Sequence, residues 1–173
     1  MENEAELIYR IVCGDENAFA ELYNKYSKSL ISFVYKYTRD VDMSIDVVQE
    51  TFVRFIENIN TYSPKGRFKS FIFKTALNII RDRKRREKRE RKVIEEIAYN
   101  SGCVSNGDNM KEEMMCIVDS LPDREKEILL LRLEGYKIEE IAEMESCSSR
   151  TIKRILKKTI NEIKSKLGLG GNI

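Results

Sequence analysis

The sequence contains no histidine among its 173 residues. Histidine is the commonest general base and metal ligand near neutral pH, so its absence argues against most acid–base and metal-dependent catalysis. The four cysteines are scattered, with no CxxC pair: Cys13, Cys103, Cys116 and Cys147. This spacing favours small buried or neutral thiols in a reducing compartment over a zinc site or a disulfide framework. We therefore expect no catalytic residue, no metal and no cofactor.

Long apolar runs are also missing. The run at residues 128–131 is typical of the longest, whereas a membrane-spanning helix needs about 20 apolar residues. The acidic N-terminus, Met-Glu-Asn-Glu-Ala-Glu, is unlike a signal peptide, so we expect a cytoplasmic protein without membrane insertion. Prolines number only two and glycines eight, which allows long helices, and strand-like alternation is nearly absent. The sequence therefore predicts an all-α fold.

Positive charge is present in excess, and it is concentrated in two stretches. Residues 65–92 contain thirteen Lys and Arg against three Asp and Glu, and residues 149–166 contain seven against one. Because the net charge of the whole chain is only +2, the remaining residues are strongly acidic. Such segregation costs self-repulsion, which a polyanion would relieve. Two separated basic helices therefore indicate two contacts along one nucleic acid.

Apolar residues at three- and four-residue steps predict the helices of the first half of the chain. A short helix over about residues 5–12 is followed by Gly14, which suits its C-terminal cap, and Asp15 can cap the next helix. That second helix carries the clearest apolar stripe: Phe19, Leu22, Tyr23, Tyr26, Leu30, Phe33, Val34 and Tyr37.

A third helix is predicted from near residue 42 to about residue 59. Its inward residues are expected to be Ile45, Val48, Phe52, Phe55, Ile56 and Ile59. After a turn-rich break at residues 60–66, a fourth helix begins near Arg67 and continues into the basic run. The sequence turns polar from Tyr99 to Asn109, which indicates a flexible linker. We expect two small helical domains of four helices each, residues 1–94 and 112–173, joined by a linker over residues 95–111.

The end of the second domain has the pattern of a helix-turn-helix. Residues 138–157 divide into a short helix, a tight turn and a longer basic helix that Ser148 can cap, and the small Ala142 permits a close crossing. The longer helix is expected to turn inward Ile152, Ile155, Leu156, Ile160, Ile163 and Leu167. A plain helical hairpin with a solvated basic face is the alternative, but the cap, the small residue and the one-sided charge favour DNA binding. The candidate DNA-binding residues are Ser148, Ser149, Arg150, Thr151, Lys153, Arg154, Lys157 and Lys158.

A second candidate site lies where aromatic residues precede the basic run. Aromatic faces beside cations suit unstacked bases, because stacking and phosphate attraction then act together. Core packing is the preferred alternative for Phe68 and Phe71, whereas Tyr62, in the loop, is the better candidate for exposure. Asn78 can read a base edge or form a helix–helix hydrogen bond. The candidates for unpaired nucleic acid are Tyr62, Lys65, Arg67, Lys74, Asn78, Arg81, Arg85 and Arg86.

In this order, these blocks resemble the extracytoplasmic-function (ECF) sigma factors, the compact group of bacterial RNA polymerase sigma subunits, over nearly the whole chain. Residues 46–52, Asp-Val-Val-Gln-Glu-Thr-Phe, match the family's core-binding motif, although by their periodicity alone they form an ordinary amphipathic helix. Residues 68–78 followed by Arg85-Arg86 are similar to the promoter-melting region, and residues 121–127 open the family's C-terminal domain.

The resemblance implies a binding protein that catalyses no reaction. The first domain would dock on core RNA polymerase and hold the unpaired strand of the −10 promoter element, and the second would read the −35 duplex. Its partners would be core RNA polymerase, promoter DNA and an anti-sigma factor. The resemblance implies docking through Asp46, Val47, Gln49, Glu50, Phe52, Val53 and Arg54.

Two departures from the family pattern concern the helix-turn-helix. Lys137 stands where the family usually has a Ser or Thr cap, so we expect a weaker helix start. Ser146 stands where the turn usually has glycine, and a left-handed backbone there would cost a non-glycine residue about 1 kcal/mol or more.

Two other functions compete with this interpretation. A stand-alone helix-turn-helix regulator would explain the second domain, but it would leave the basic aromatic helix and the motif at residues 46–52 unused. An enzyme acting on nucleic acid is disfavoured, because the sequence lacks histidine, metal-ligand spacing and a phosphate-binding loop.

Overall fold

The computed structural model describes residues 4–62, 67–94 and 110–167, and every regular element in these ranges is helical. The all-α prediction is therefore confirmed. None of these helices is both long and apolar enough to cross a membrane. The α-helices are α1 (Glu4–Val12), α2 (Glu16–Thr38), α3 (Val41–Glu57), α4 (Phe68–Ile94), α5 (Met110–Asp119), α6 (Asp123–Leu133), α7 (Ile138–Met144) and α8 (Ser149–Lys166). A 3₁₀ helix at Ile59–Thr61 follows α3.

The chain divides into two compact units between Val93 and Ile94, with α1–α3 and all but the last residue of α4 in the first and α5–α8 in the second. Residues 95–109 of the predicted linker lie outside the described ranges, so the linker boundaries stay a prediction.

The junction between α1 and α2 has the two caps that the sequence predicts, whereas α3 ends at Glu57, two residues before its predicted end. Gly14 has a left-handed φ of 87° after α1, which glycine adopts without a steric penalty. The Asp15 carboxylate caps α2 by accepting hydrogen bonds from the backbone N–H groups of Asn17 at 2.9 Å and Ala18 at 3.2 Å. The Arg10 guanidinium donates to the same carboxylate, and this hydrogen bond lowers the pKa of Asp15. Both predicted caps are confirmed.

The buried face of α3 is rotated from the predicted one. Ile45 and Ile56 were expected inward but are 37% and 39% exposed, while Val47 is fully buried together with Ser44 and Thr51. The two hydroxyl groups donate within their own helix, from Ser44 to the Asp40 carbonyl and from Thr51 to the Val47 carbonyl. Because both hydroxyl groups have hydrogen-bond partners, the Ser44 and Thr51 side chains can be buried in the core.

The second unit packs α6, α7 and α8 around an apolar core. The fully or almost fully buried residues include Ile128, Leu130, Leu131, Ile141, Met144 and Ile152. Ile160 of α8 was expected inward but is 43% exposed, and the neighbouring Thr159 is buried instead. The Thr159 hydroxyl donates a hydrogen bond to the Glu125 carboxylate at 3.4 Å. This hydrogen bond offsets the cost of removing the hydroxyl from water.

The turn of the helix-turn-helix keeps its left-handed residue without a glycine. Ser146 has a φ of 51°, so the backbone geometry expected of a glycine is retained. At the start of α7, the Glu140 carboxylate accepts a hydrogen bond from the Lys137 N–H at 2.7 Å. A lysine side chain has no acceptor, so it supplies no side-chain cap of its own. Ser148 caps α8 as predicted.

We expect Ser146→Gly to raise the free energy of unfolding of the second unit by about 0.5–1 kcal/mol, because the relief of left-handed strain exceeds the extra entropy of glycine in the unfolded chain. Denaturant titration of the full chain measures this change. Ser146→Ala is the control and should bring no gain, since alanine keeps the Cβ atom. A glycine variant no more stable than the original protein would contradict the strain argument.

Candidate functional site

A shallow apolar groove lies beside the predicted docking motif. It has a volume of about 460 Å³ and runs between α2 and α3. Asp46, Gln49 and Val53 are exposed along this side of α3. We call this surface the α2–α3 groove, and its lining residues are Phe19, Tyr23, Gln49, Phe52, Val53, Ile56 and Glu57. A polar margin around an apolar centre is typical of a protein–protein interface.

Two residues of the docking motif do not face outward. Val47 is fully buried, and Phe52 is only 2% exposed, so it forms the floor of the groove rather than a projecting contact. The Phe52 ring centroid lies 4.8 Å from that of Tyr23, which brings α2 and α3 together. Sequence reasoning assigned Phe19, Tyr23 and Ile56 to the core, because periodicity does not distinguish a core face from an apolar groove.

Glu50 forms ion pairs with its own helix and with α4. Its Oε1 atom accepts from Arg54 Nη2 at 2.7 Å, and its Oε2 atom accepts from Arg83 Nη2 at 2.9 Å. Burial alone would raise the pKa of Glu50, but the hydrogen bonds from Arg83 and Arg54 outweigh burial and lower it. Glu50 therefore carries a negative charge that joins two helices. Arg83 was not among the residues selected from the sequence, because its partner lies 33 positions away.

An aromatic cluster joins the end of α3 to the start of α4. The Tyr62 ring centroid lies 4.8 Å from that of Phe71, 5.8 Å from that of Phe55 and 5.9 Å from that of Phe68. Phe68 is buried as expected, whereas Phe71 is only partly buried. Tyr62 is half-buried, and burial raises its pKa. The expectation that Tyr62 is exposed is therefore met only in part, because its ring packs into this cluster.

The DNA-binding candidates of α4 differ in exposure. Asn78, Arg85 and Arg86 are exposed, as is Arg67 just before the helix, while Lys74 and Arg81 are half-buried. Asn78 Oδ1 lies 3.5 Å from Arg81 Nη1 on the same helix, and its exposure leaves it facing solvent rather than another helix. Lys65 lies outside the described residues.

The N-terminal half of α8 presents one continuous basic surface. A concavity of about 470 Å³ brings together six of the eight candidates: Ser148, Arg150, Thr151, Lys153, Arg154 and Lys157. Ser148 Oγ accepts a hydrogen bond from the Thr151 N–H at 3.2 Å, which fixes the helix start. Ser149 is half-buried beside this surface. A capped helix with exposed cations on its first two turns has the form of a major-groove reading helix.

Lys158 does not line this concavity and forms an ion pair with α6 instead. Its ammonium lies 2.9 Å from Glu125 Oε1 on α6, and the hydrogen bond to Glu125 raises the pKa of Lys158. The Lys158 side chain is 69% exposed, so this ion pair lies at the surface of the second unit. Sequence spacing gave no signal of this pair, because the two residues are 33 positions apart.

Comparison with known sequences places both units in one family. Residues 22–90 match sigma-70 region 2, and residues 111–161 match sigma-70 region 4. The chain is 29% identical over 163 residues to the ECF RNA polymerase sigma-E factors of Escherichia coli K12 and Salmonella typhimurium LT2, covering 85% of each chain. It is 23% identical over 162 residues to the ECF factor SigW of Bacillus subtilis, covering 84% of this chain and 87% of SigW.

Solved structures share the fold. The sigma factor RpoE of Bartonella quintana, crystallised with the anti-sigma factor NepR, gives a TM-score of 0.73 at 17% identity, over 88% of this chain and 98% of RpoE. CnrH, solved with the cytosolic domain of CnrY, gives 0.70 at 19% identity, over 98% of this chain and all of CnrH. The chain belongs to the ECF sigma factors, and its function is that of a sigma factor in transcription initiation.

Proposed function

We propose that this sigma factor directs core RNA polymerase to promoters through three surfaces and catalyses no reaction itself. The outer face of α3 docks on the polymerase, α4 holds the unpaired −10 strand, and the N-terminal half of α8 reads the −35 duplex. The observation that carries this proposal is the α8 surface, where six candidate residues form one exposed basic concavity on a capped helix.

The docking role rests on the α2–α3 groove. Val53 is 54% exposed and continues the apolar lining of this groove, and a contiguous apolar patch at a surface is typical of a protein–protein contact. Asp46 and Gln49 supply polar contacts beside it. The surface that meets the polymerase is therefore wider than the motif, since it includes Phe19 and Tyr23 of α2.

The −10 role rests on the aromatic cluster at the start of α4 and on the exposed cations before and along this helix, Arg67, Arg85 and Arg86. Stacking of a base on an aromatic ring contributes roughly 1–3 kcal/mol. Extruding a base from the duplex costs a few kcal/mol, so the balance is close. We therefore expect strand opening to need the polymerase, and the free protein to bind promoter duplex weakly.

An anti-sigma factor is the remaining partner that we propose. RpoE of Bartonella quintana forms a complex with one. A protein that covers the basic surfaces of α4 and α8 would keep this chain from promoters. The cytoplasmic location predicted from the sequence suits this function, because polymerase and promoters lie there.

Run-off transcription with purified core polymerase on genomic fragments tests the proposal. Transcripts with defined start sites should appear only when this protein is added, and the protein should co-purify with core enzyme. A stand-alone helix-turn-helix regulator would instead bind a palindromic duplex as a dimer without polymerase. Tight, sequence-specific binding to duplex by the free protein, with no retention of core enzyme, would support that alternative.

A further inference from the structure

The carboxylate of Glu50 is shared between the docking helix and the basic helix. Arg54, one turn further along α3, donates to one oxygen at 2.7 Å, and Arg83 of α4 donates to the other at 2.9 Å. All three side chains are partly buried, with exposed fractions of 38% for Arg54, 34% for Glu50 and 29% for Arg83. We call this arrangement the Glu50 clasp.

We propose that Glu50 is a positioning residue for polymerase docking, and that Arg83 sets the docking geometry from outside the docking helix. This inference rests on the proposed docking function of α3. Glu50 holds the Arg54 guanidinium in place at the edge of the docking face, and Arg83 holds Glu50.

A direct contact between Glu50 and the polymerase would have to compete with two guanidinium groups of this chain. Each carboxylate oxygen already accepts a charge-assisted hydrogen bond from a guanidinium. The clasp holds two positive charges and one negative charge, so it presents a net positive charge to a partner. Arg54 is the member that can reach one, since a guanidinium has five N–H donors and this side chain is the most exposed of the three.

Arg83 is needed because the pair on α3 is weak by itself. A single ion pair between residues four apart on a helix surface holds two long side chains only loosely. A second arginine from another helix fixes the carboxylate from its opposite oxygen, which restricts the Glu50 rotamer and the position of Arg54. Removing Arg83 should therefore weaken docking although Arg83 lies on the basic helix.

A double-mutant cycle on the full chain tests this proposal by measuring affinity for purified core polymerase without DNA. We expect Glu50→Gln and Arg83→Gln each to weaken binding by about 3–10-fold, and the double variant to be no weaker than Glu50→Gln alone, because residues of one network are not additive. Arg89→Gln is the matched control. It removes the same charge from an exposed position of α4 and should bind like the original protein.

Several outcomes overturn the clasp or support it. If Arg83→Gln binds as tightly as the original protein while Glu50→Gln binds weakly, Glu50 contacts the polymerase itself and the proposal is wrong. Arg83→Lys keeps a cation, so it should recover most of the affinity for core polymerase that Arg83→Gln loses. General damage to the fold would instead lower the melting temperature of both Arg83 variants. Failure of the original protein to bind core polymerase would reject the docking function, not the clasp alone.

Discussion

Arg154→Ala is expected to lower transcription from a −35-dependent promoter by about 5–150-fold, which corresponds to the 1–3 kcal/mol of a side chain that reads a base. Arg154 is exposed in the basic concavity at the start of α8. An arginine there can donate two hydrogen bonds to a guanine edge, and alanine leaves that edge without a partner. Run-off transcription with saturating core polymerase measures the loss.

Two controls separate base reading from general damage by Arg154→Ala. Lys164→Ala removes an exposed cation from the far end of the same helix and should leave transcription unchanged. On a promoter whose −35 element is mutated, the alanine variant and the original protein should be equally active. An equal loss on both promoters would show that Arg154 does not read the −35 element.

Phe55→Ala is expected to lower the free energy of unfolding of the first unit by about 3–5 kcal/mol, the cost of a phenylalanine-sized cavity in a core. Phe55 is fully buried, and its ring lies 4.9 Å from that of Phe68 and 5.8 Å from that of Tyr62. Its loss would loosen both the end of α3 and the start of α4. Denaturant titration followed by circular dichroism measures the change.

The position of the cavity can be checked with neighbouring substitutions. Phe55→Leu should cost no more than about 1.5 kcal/mol, since much of the volume is kept. Ile56→Ala changes the next residue, which faces the groove, and should alter stability by only about 0.5 kcal/mol. A Phe55→Ala variant as stable as Ile56→Ala would mean that the aromatic cluster contributes little to the first unit.

The helical character of the described residues and several helix ends were predictable because local chemistry sets them. Asp15 and Ser148 accept backbone N–H groups at helix starts, and Gly14 takes a left-handed backbone. Each of these features needs only a few consecutive residues. The basic surface on α8 was equally predictable from the sequence, because a single helix and its N-terminal cap contain all of its residues.

The failures lie where a residue's surroundings come from distant parts of the chain. Thr51 is buried and Ile56 is not, because a hydroxyl can bond to its own helix while an apolar side chain can line a groove. Glu50 and Lys158 both have partners 33 positions away, and no periodicity encodes such pairs. The internal partners of these two residues were therefore missed, while their roles toward polymerase and DNA stay predictions.

The Lys158 ammonium, held by Glu125, leaves one positive charge fewer for phosphate to meet. Basic proteins lose DNA affinity as ionic strength rises, because each neutralised phosphate sheds a condensed counterion. A lysine that a carboxylate of its own chain already balances neutralises less phosphate charge, so fewer counterions leave the DNA. Promoter complexes of this sigma factor should therefore tolerate potassium salts better than the number of basic residues along α8 indicates.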